Sequence, residues 1–231
     1  MRFIIGGLKK TSLLDYPEKI SAIVFTQGCN FRCGYCHNPG LLKNSENGSV
    51  SIESFFEFLK TRQGKLDGVV ITGGEPTLQP DLKPFIQRVK ELGFFVKLDT
   101  NGCNPDIIED LINKKIVDYI AMDIKAPLEK YSNITNVDID LDKIKQSICL
   151  IMKSGIDYEF RTTVVKSQLT LDDFDKIALL INGAKKYYLQ KFAAKSDILD
   201  NSLKNEKTYT NEEFCQIISR LKNHIETVDF R

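Results

Sequence analysis

The stretch GVVITGGEPTLQPDLKPFIQRVKELGFFVKLDTNG, residues 68–102, contains one complete structural unit. Its first five residues (68–72) form an apolar run that reads as a buried strand, and "FFVKLDT" (94–100) reads as a second. Between them residues 81–92 have a helical pattern, and "GGEP" (73–76) supplies the break that separates strand from helix. Asn101-Gly102 marks a turn after the second strand. Strand, helix, strand in this order is a βαβ unit with two parallel strands.

The same alternation extends in both directions. Further strands are expected at 20–26, 117–125, 158–165 and 186–192, and helical patterns at about 51–62, 105–114, 141–154 and 172–182. A last helix at about 210–223 is followed by a short extended tail. The strands are nearly all apolar, as expected when both faces of a sheet are covered. Six such units are too few to close an eight-stranded barrel. The expected fold is therefore α/β, an incomplete (β/α)6 TIM-like barrel, with an open doubly wound sheet as the alternative. No repeat or Pro/Gly-rich linker divides the chain, so residues 1–231 read as one domain, with a core at about 15–193 and a C-terminal helix and tail at about 194–231.

Composition narrows the function classes. Apolar residues make up 42% of the 231-residue chain, enough for a sizeable core. Lys plus Arg (32) nearly cancels Asp plus Glu (31), so no overall field favours nucleic acid or an acidic membrane. No eighteen apolar residues run together, and the apolar run in "MRFIIGGLKK" is too short for a signal peptide. A cytoplasmic location is expected, and with it reduced thiols.

The unusual polar residues stand at the C-terminal ends of successive strands. "FTQGCNFRCGYCHNPG" (25–40) follows the strand at 20–26 and "GGEP" follows the next; "DTNG" (99–102) and "MDIK" (122–125) end the two after that. In parallel α/β architectures that rim is where sites are built. Cys29, Cys33 and Cys36 are spaced C-x3-C-x2-C, and three readings compete for them. A structural zinc site needs four protein ligands, and His37, adjoining Cys36, rarely reaches the same tetrahedral ion. Coincidental free thiols are a second reading. An iron–sulfur cluster is the third: one thiolate per iron leaves a four-iron cluster with one open iron, as a catalytic metal site needs. Cys103, Cys149 and Cys215 are scattered and read as buried free thiols.

C-x3-C-x2-C after a first strand, with "GGEP" after the second, resembles the radical S-adenosylmethionine (SAM) superfamily. More specifically, "SLLDYPEKISAIVFTQGCNFRCGYCHNP", "VVITGGEPTLQ", "VKLDTNG", "DYIAMDIKAP" and "YEFRTTVV" together resemble the activating enzymes of glycyl-radical proteins. Within these, the sequence looks most like the activating proteins of anaerobic ribonucleoside-triphosphate reductase. The resemblance spans about residues 5–193 and implies a single radical SAM domain. It implies a [4Fe–4S] cluster on Cys29, Cys33 and Cys36, whose open iron chelates SAM. It further implies SAM contacts from Tyr35, His37, Gly73, Gly74, Glu75, Thr100, Asn101, Asp123, Lys125 and Arg161. A monovalent cation between Asp99 and Asp123 follows more weakly, and no catalytic residue is expected beyond cluster and cofactor. The implied reaction is reductive cleavage of SAM and removal of a hydrogen atom from a partner's glycine. A flavodoxin-like protein would donate the electron.

Each of these residues also has a plainer reading. The Gly73-Gly74 turn, with Pro76 and Asp81, suits a strand-to-helix connection, and "DTNG" suits a cap or turn. Arg161 would face solvent if alternate residues of its strand point outward. Lys125, following an apolar strand, needs an anionic partner wherever it is buried. One departure from the family is visible. Pyruvate formate-lyase activating enzymes have a cofactor-contacting His after the sixth strand, and "LQKFAA" (189–194) has none. Other function classes are an activase of the pyruvate formate-lyase type, a small-molecule radical enzyme such as a 7-carboxy-7-deazaguanine synthase, and a non-catalytic iron–sulfur carrier.

Overall fold

The computed structural model describes residues 2–42, 48–193 and 197–231. Eight strands form one sheet in sequence order: β1 (Ile5–Ser12), β2 (Ser21–Thr26), β3 (Gly68–Gly73), β4 (Phe95–Thr100), β5 (Tyr119–Asp123), β6 (Asp157–Val164), β7 (Lys186–Lys191) and β8 (Thr227–Phe230). β2 through β8 run parallel, whereas β1 pairs antiparallel with β2. Seven helices accompany them among the described residues: α1 (Ile52–Lys60), α2 (Leu82–Glu91), α3 (Pro105–Asn113), α4 (Tyr131–Thr135), α5 (Leu141–Lys153), α6 (Leu171–Leu180) and α7 (Asn211–Leu221). The sheet closes no ring, since β1 and β8 are its two margins. This is the incomplete barrel expected from the sequence, enlarged by a strand at each end. The boundary drawn at 193/194 falls at residues 194–196, outside the described ones.

The helices cover the outer face of the sheet. α2 buries Leu82, Phe85, Ile86 and Val89, and α7 buries Phe214, Ile217, Ile218 and Leu221, the i, i+3, i+4, i+7 stripe of an amphipathic helix. Phe85 stacks on Phe3 at 3.8 Å between ring centres, which pins the N-terminal segment to α2. Capping boxes start α6 (Thr170 with Asp173) and α7 (Thr210 with Glu213), satisfying backbone donors that the first turn leaves open.

The inner face is different. Its apolar part is a small cluster of Tyr16, Ile23, Val70, Tyr119 and Ala121. Tyr16, from the β1–β2 connection, packs on Tyr119 near the N-terminal ends of the parallel strands. Above this plug the interior is polar: Lys97, Glu159 and Arg161 are all buried there. Such groups stay buried only when paired, and their pairing builds the site.

Two readings need correcting. Arg161 is 9% exposed and faces inward, so the solvent-facing alternative fails. Cys149 and Cys215 are exposed on α5 and α7, and Cys103 is half-buried, so none of the three is a buried core thiol. Their positions on the solvent side of amphipathic helices account for the first two.

Candidate active site

Above the polar interior lies a cavity of about 260 Å³, ringed by the C-terminal ends of β2 through β7. Cys29, Cys33, Tyr35, Cys36, His37, Gly73, Gly74, Glu75, Asp99, Thr100, Asn101, Asp123, Lys125 and Arg161 all line it. Every residue singled out from the sequence is therefore brought to one place.

The cysteine loop leaves β2 and is held mainly through its backbone. Gly28 N–H donates to Leu41 O (2.7 Å), Arg32 N–H to Thr135 O (2.8 Å) and Cys36 N–H to Cys33 O (3.0 Å). The Arg32 guanidinium folds back to donate to the carbonyls of Cys29 (2.6 Å) and Phe31 (2.7 Å). His37 stacks on Phe192 (5.7 Å), and its Nε2 lies 3.0 Å from Ala193 O, tying the loop to the end of β7. Its place is that of loop architecture.

Gly73 and Gly74 serve this loop directly. Gly73 has φ +112, and a Cβ there would lie 2.4 Å from Thr26 N. A Cβ on Gly74 would lie 2.0 Å from Gly28 O, the same carbonyl that accepts Glu75 N–H at 2.8 Å. The two glycines let the β3 turn press against the backbone that presents the cysteines.

The Glu75 carboxylate is 1% exposed and fully occupied. One oxygen accepts from Thr77 N (3.1 Å), Thr77 Oγ1 (2.6 Å) and Thr100 Oγ1 (2.7 Å); the other accepts from Asn101 N (2.6 Å). Burial raises its proton affinity, and these hydrogen bonds offset only part of that. Asn101 in turn donates from Nδ2 to Asn30 Oδ1 (2.8 Å) and accepts Cys103 N–H (3.0 Å). The side chains of Glu75, Thr100 and Asn101 thus fasten the β3 and β4 ends to the cysteine loop.

Across the cavity, five charges form a chain. Lys97 pairs with Asp99, Arg161 reaches Asp99 (3.2 Å) and Asp123 (2.9 Å), and Lys125 reaches Asp123 (2.9 Å). Burial alone would raise the carboxyl groups, but Arg161 and Lys125 hold Asp123 far below the usual carboxylate range. Arg161 and Lys97 likewise hold Asp99 below it. Burial alone would discharge Lys125; Asp123 more than offsets this and keeps the ammonium charged. Arg161 also lies 3.9 Å from the buried Glu159, so three carboxylates stand around the three cations. Lys97, Arg161 and Lys125 already stand on Asp99 and Asp123, between which the resemblance implied a monovalent cation.

Burial pushes the Cys29 thiol up to about 11 and also raises Cys33. The Tyr35 hydroxyl is buried beside the Cys33 thiol. Three thiols spread over one cavity wall, with Lys125 and Arg161 on the same lining, suit a multi-iron cluster and an anionic cofactor group.

Residues 23–181 match the Radical SAM superfamily. Over 100% of its length the chain is 36% identical to the "Putative glycyl-radical enzyme activating enzyme MJ1227" of Methanocaldococcus jannaschii, of which it covers 97%. The chain belongs to the radical SAM superfamily, in its glycyl-radical enzyme activating family. A pyruvate formate-lyase-activating enzyme of Clostridium pasteurianum is 32% identical over 52% of each chain. In fold, the chain resembles QueE from Escherichia coli with a TM-score of 0.56 at 16% identity, covering 99% of this chain and 93% of that one. The protein is accordingly a radical SAM enzyme that uses a [4Fe–4S] cluster and SAM. No helix among the described residues is long and apolar enough to cross a membrane.

This radical SAM cavity is also lined by residues the sequence reading passed over: Phe31, Asn38, Leu42, Thr72, Thr163 and Gln190. Thr163 stands two residues beyond Arg161 on β6, so the period of two along a strand would have found it. Gln190 lies in the stretch inspected only for a missing His.

Proposed function

We propose that this protein installs a radical on a glycine of a partner glycyl-radical protein, and that the partner is an anaerobic ribonucleoside-triphosphate reductase. The observation that supports this reading is the cavity that three cysteines line together with Lys125 and Arg161, in a chain related over its full length to an activating enzyme. A cluster held by Cys29, Cys33 and Cys36 would supply the one-electron reduction that cleaves SAM for removal of a hydrogen atom from the glycine Cα.

The chain's own residues bind and position. Cys29, Cys33 and Cys36 hold the cluster. Lys125 and Arg161 attract the cofactor carboxylate, since their neighbouring carboxylates keep both charged on the cavity lining. The backbone carbonyls at Gly73, Gly74 and Glu75 receive the α-ammonium, and Tyr35 and His37 shape the cavity around the cofactor. Asp123 keeps Lys125 and Arg161 charged and aimed. Thr100 and Asn101 act through the loop they fasten. A flavodoxin-like donor reduces the cluster.

The choice of reductase rests on the sixth of the parallel strands expected from the sequence, β7, whose end presents Gln190 and no His. The test is anaerobic mixing of the cluster-loaded protein with SAM, a reductant and the candidate reductase. A glycyl-radical doublet in electron paramagnetic resonance supports the reading. A doublet only on a pyruvate formate-lyase-type protein overturns the partner, and consumption of a small molecule with no protein radical overturns the activase.

A further inference from the structure

The polar groups around the cavity divide into two sets. Those of Glu75, Asp99, Thr100, Asn101, Asp123, Lys125 and Arg161 are committed to one another. Thr163 and Gln190 are not: both are half-buried, both line the cavity, and neither side chain has a hydrogen-bond partner among the described residues. They are direct register partners on β6 and β7, so their Cα atoms sit about 4.8 Å apart on adjacent parallel strands. Two uncommitted polar side chains thus stand side by side on the rim. Gln190 is one strand in from the free margin at β8 and Thr163 two, on the side that the open sheet leaves accessible.

We propose that Thr163 and Gln190 form a recognition pair for a main-chain peptide group of the incoming substrate loop. This rests on the activase reading above and names the residues that would read the substrate. The chemistry follows from the target. Glycine has no side chain to grip, so selection at the reacting residue falls on its N–H and C=O. A carboxamide offers a donor and an acceptor side by side, the complement of a peptide group, and the hydroxyl beside it adds a group that donates or accepts. Neither residue is charged, which suits a neutral peptide better than the ammonium or carboxylate of the cofactor. Those charges are met by Lys125, Arg161 and the Gly73-Gly74 turn.

The probe is the peptide Ac-Ala-Ala-Gly-Ala-Ala-NH2, titrated into cluster-loaded protein saturated with SAM. Its sarcosine analogue, in which an N-methyl group removes the glycine N–H, is the control. Gln190→Ala is expected to weaken peptide binding about 3–10-fold, the value of one net hydrogen bond, and Thr163→Val by a similar or smaller factor. The loss should disappear with the sarcosine peptide, which wild-type protein already binds weakly. SAM affinity, measured without peptide, separates the two possible ligands. A fall in SAM affinity as large as the fall in peptide affinity would place the pair in the cofactor pocket and overturn the assignment. So would an unchanged peptide affinity in both variants, or no binding of the glycine peptide by wild-type protein at millimolar concentration. None of these outcomes touches the activase reading, whose test uses a whole glycyl-radical protein.

Discussion

Asp123 and Arg161 are hydrogen-bonded to each other, yet removing them should have unequal effects on stability. In the five-charge chain Arg161 is the shared cation: without it, Lys97 still faces Asp99 and Lys125 still faces Asp123. Arg161→Met therefore leaves two closed pairs, while Glu159 keeps Arg231 and the Tyr119 hydroxyl. Asp123→Asn leaves Lys125 with no carboxylate and Arg161 without its nearest one. The side chains of Lys125 and Arg161 are only 13% and 11% exposed, so the uncompensated charge is poorly solvated. Breaking a buried pair in this way costs about 3–5 kcal/mol, and the 27% exposure of Asp123 places it near the lower end. At roughly 2–4 °C per kcal/mol for a chain of this size, Asp123→Asn should lower Tm by about 6–12 °C. Arg161→Met should cost about 1–2 kcal/mol, or roughly 2–8 °C, despite removing the larger side chain. Thermal and urea melts of cluster-free protein, kept anaerobic, measure both. Arg161→Met should nonetheless lose SAM affinity more than it loses stability. Equal melting losses, or a larger one for Arg161→Met, would refute the charge chain as drawn.

The same carboxylates set the acid limit. Asp123 and Asp99 are held below their unfolded value of about 3.9, so the stability they contribute is present above that pH and is lost as pH falls toward the folded values. Asp123→Asn should therefore flatten the fall in stability below about pH 4, as followed by urea melts across pH. Gly74→Ala should disrupt the cysteine loop itself, since its Cβ meets the Gly28 carbonyl and no rotamer relieves it. It should cost about 1–3 kcal/mol and most of the bound iron, measured as iron per chain after reconstitution. Replacing Cys103, Cys149 and Cys215 together by Ser should leave iron content and SAM cleavage unchanged. Lost iron in a folded triple variant would mean that one of them holds metal.

The barrel was legible because β2, β3 and β5 read as buried, mainly apolar runs and helical patterns alternate with the strands. β1 was not. "IGGLKKTS" has two glycines and two lysines, an exposed edge and two register irregularities, all features of a strand at a sheet margin. β8 has four residues and α4 five, too few for either period to show. Within the site, the residue types that perform chemistry stood out, but their commitments did not. Glu75 read as a ligand, and its side chain is also a clasp that the sequence did not show, because its four donors come from residues 77, 100 and 101 and only folding brings them together. Lys97 was passed over as part of a strand, though it shares a face with Asp99 two residues on and pairs with it.

The central claim is that a hydrogen atom leaves a glycine Cα of the partner protein for the cofactor's 5′ carbon. The direct measurement uses a partner reductase labelled with α-deuterated glycine, incubated anaerobically with the cluster-loaded enzyme, SAM and a reductant. Mass spectrometry of the 5′-deoxyadenosine then reads the transfer. The account predicts one deuterium in the 5′-deoxyadenosine, formed in proportion to a glycyl radical whose doublet collapses toward a singlet with the label. Glycyl radical with unlabelled 5′-deoxyadenosine, or 5′-deoxyadenosine formed without any protein radical, would contradict it.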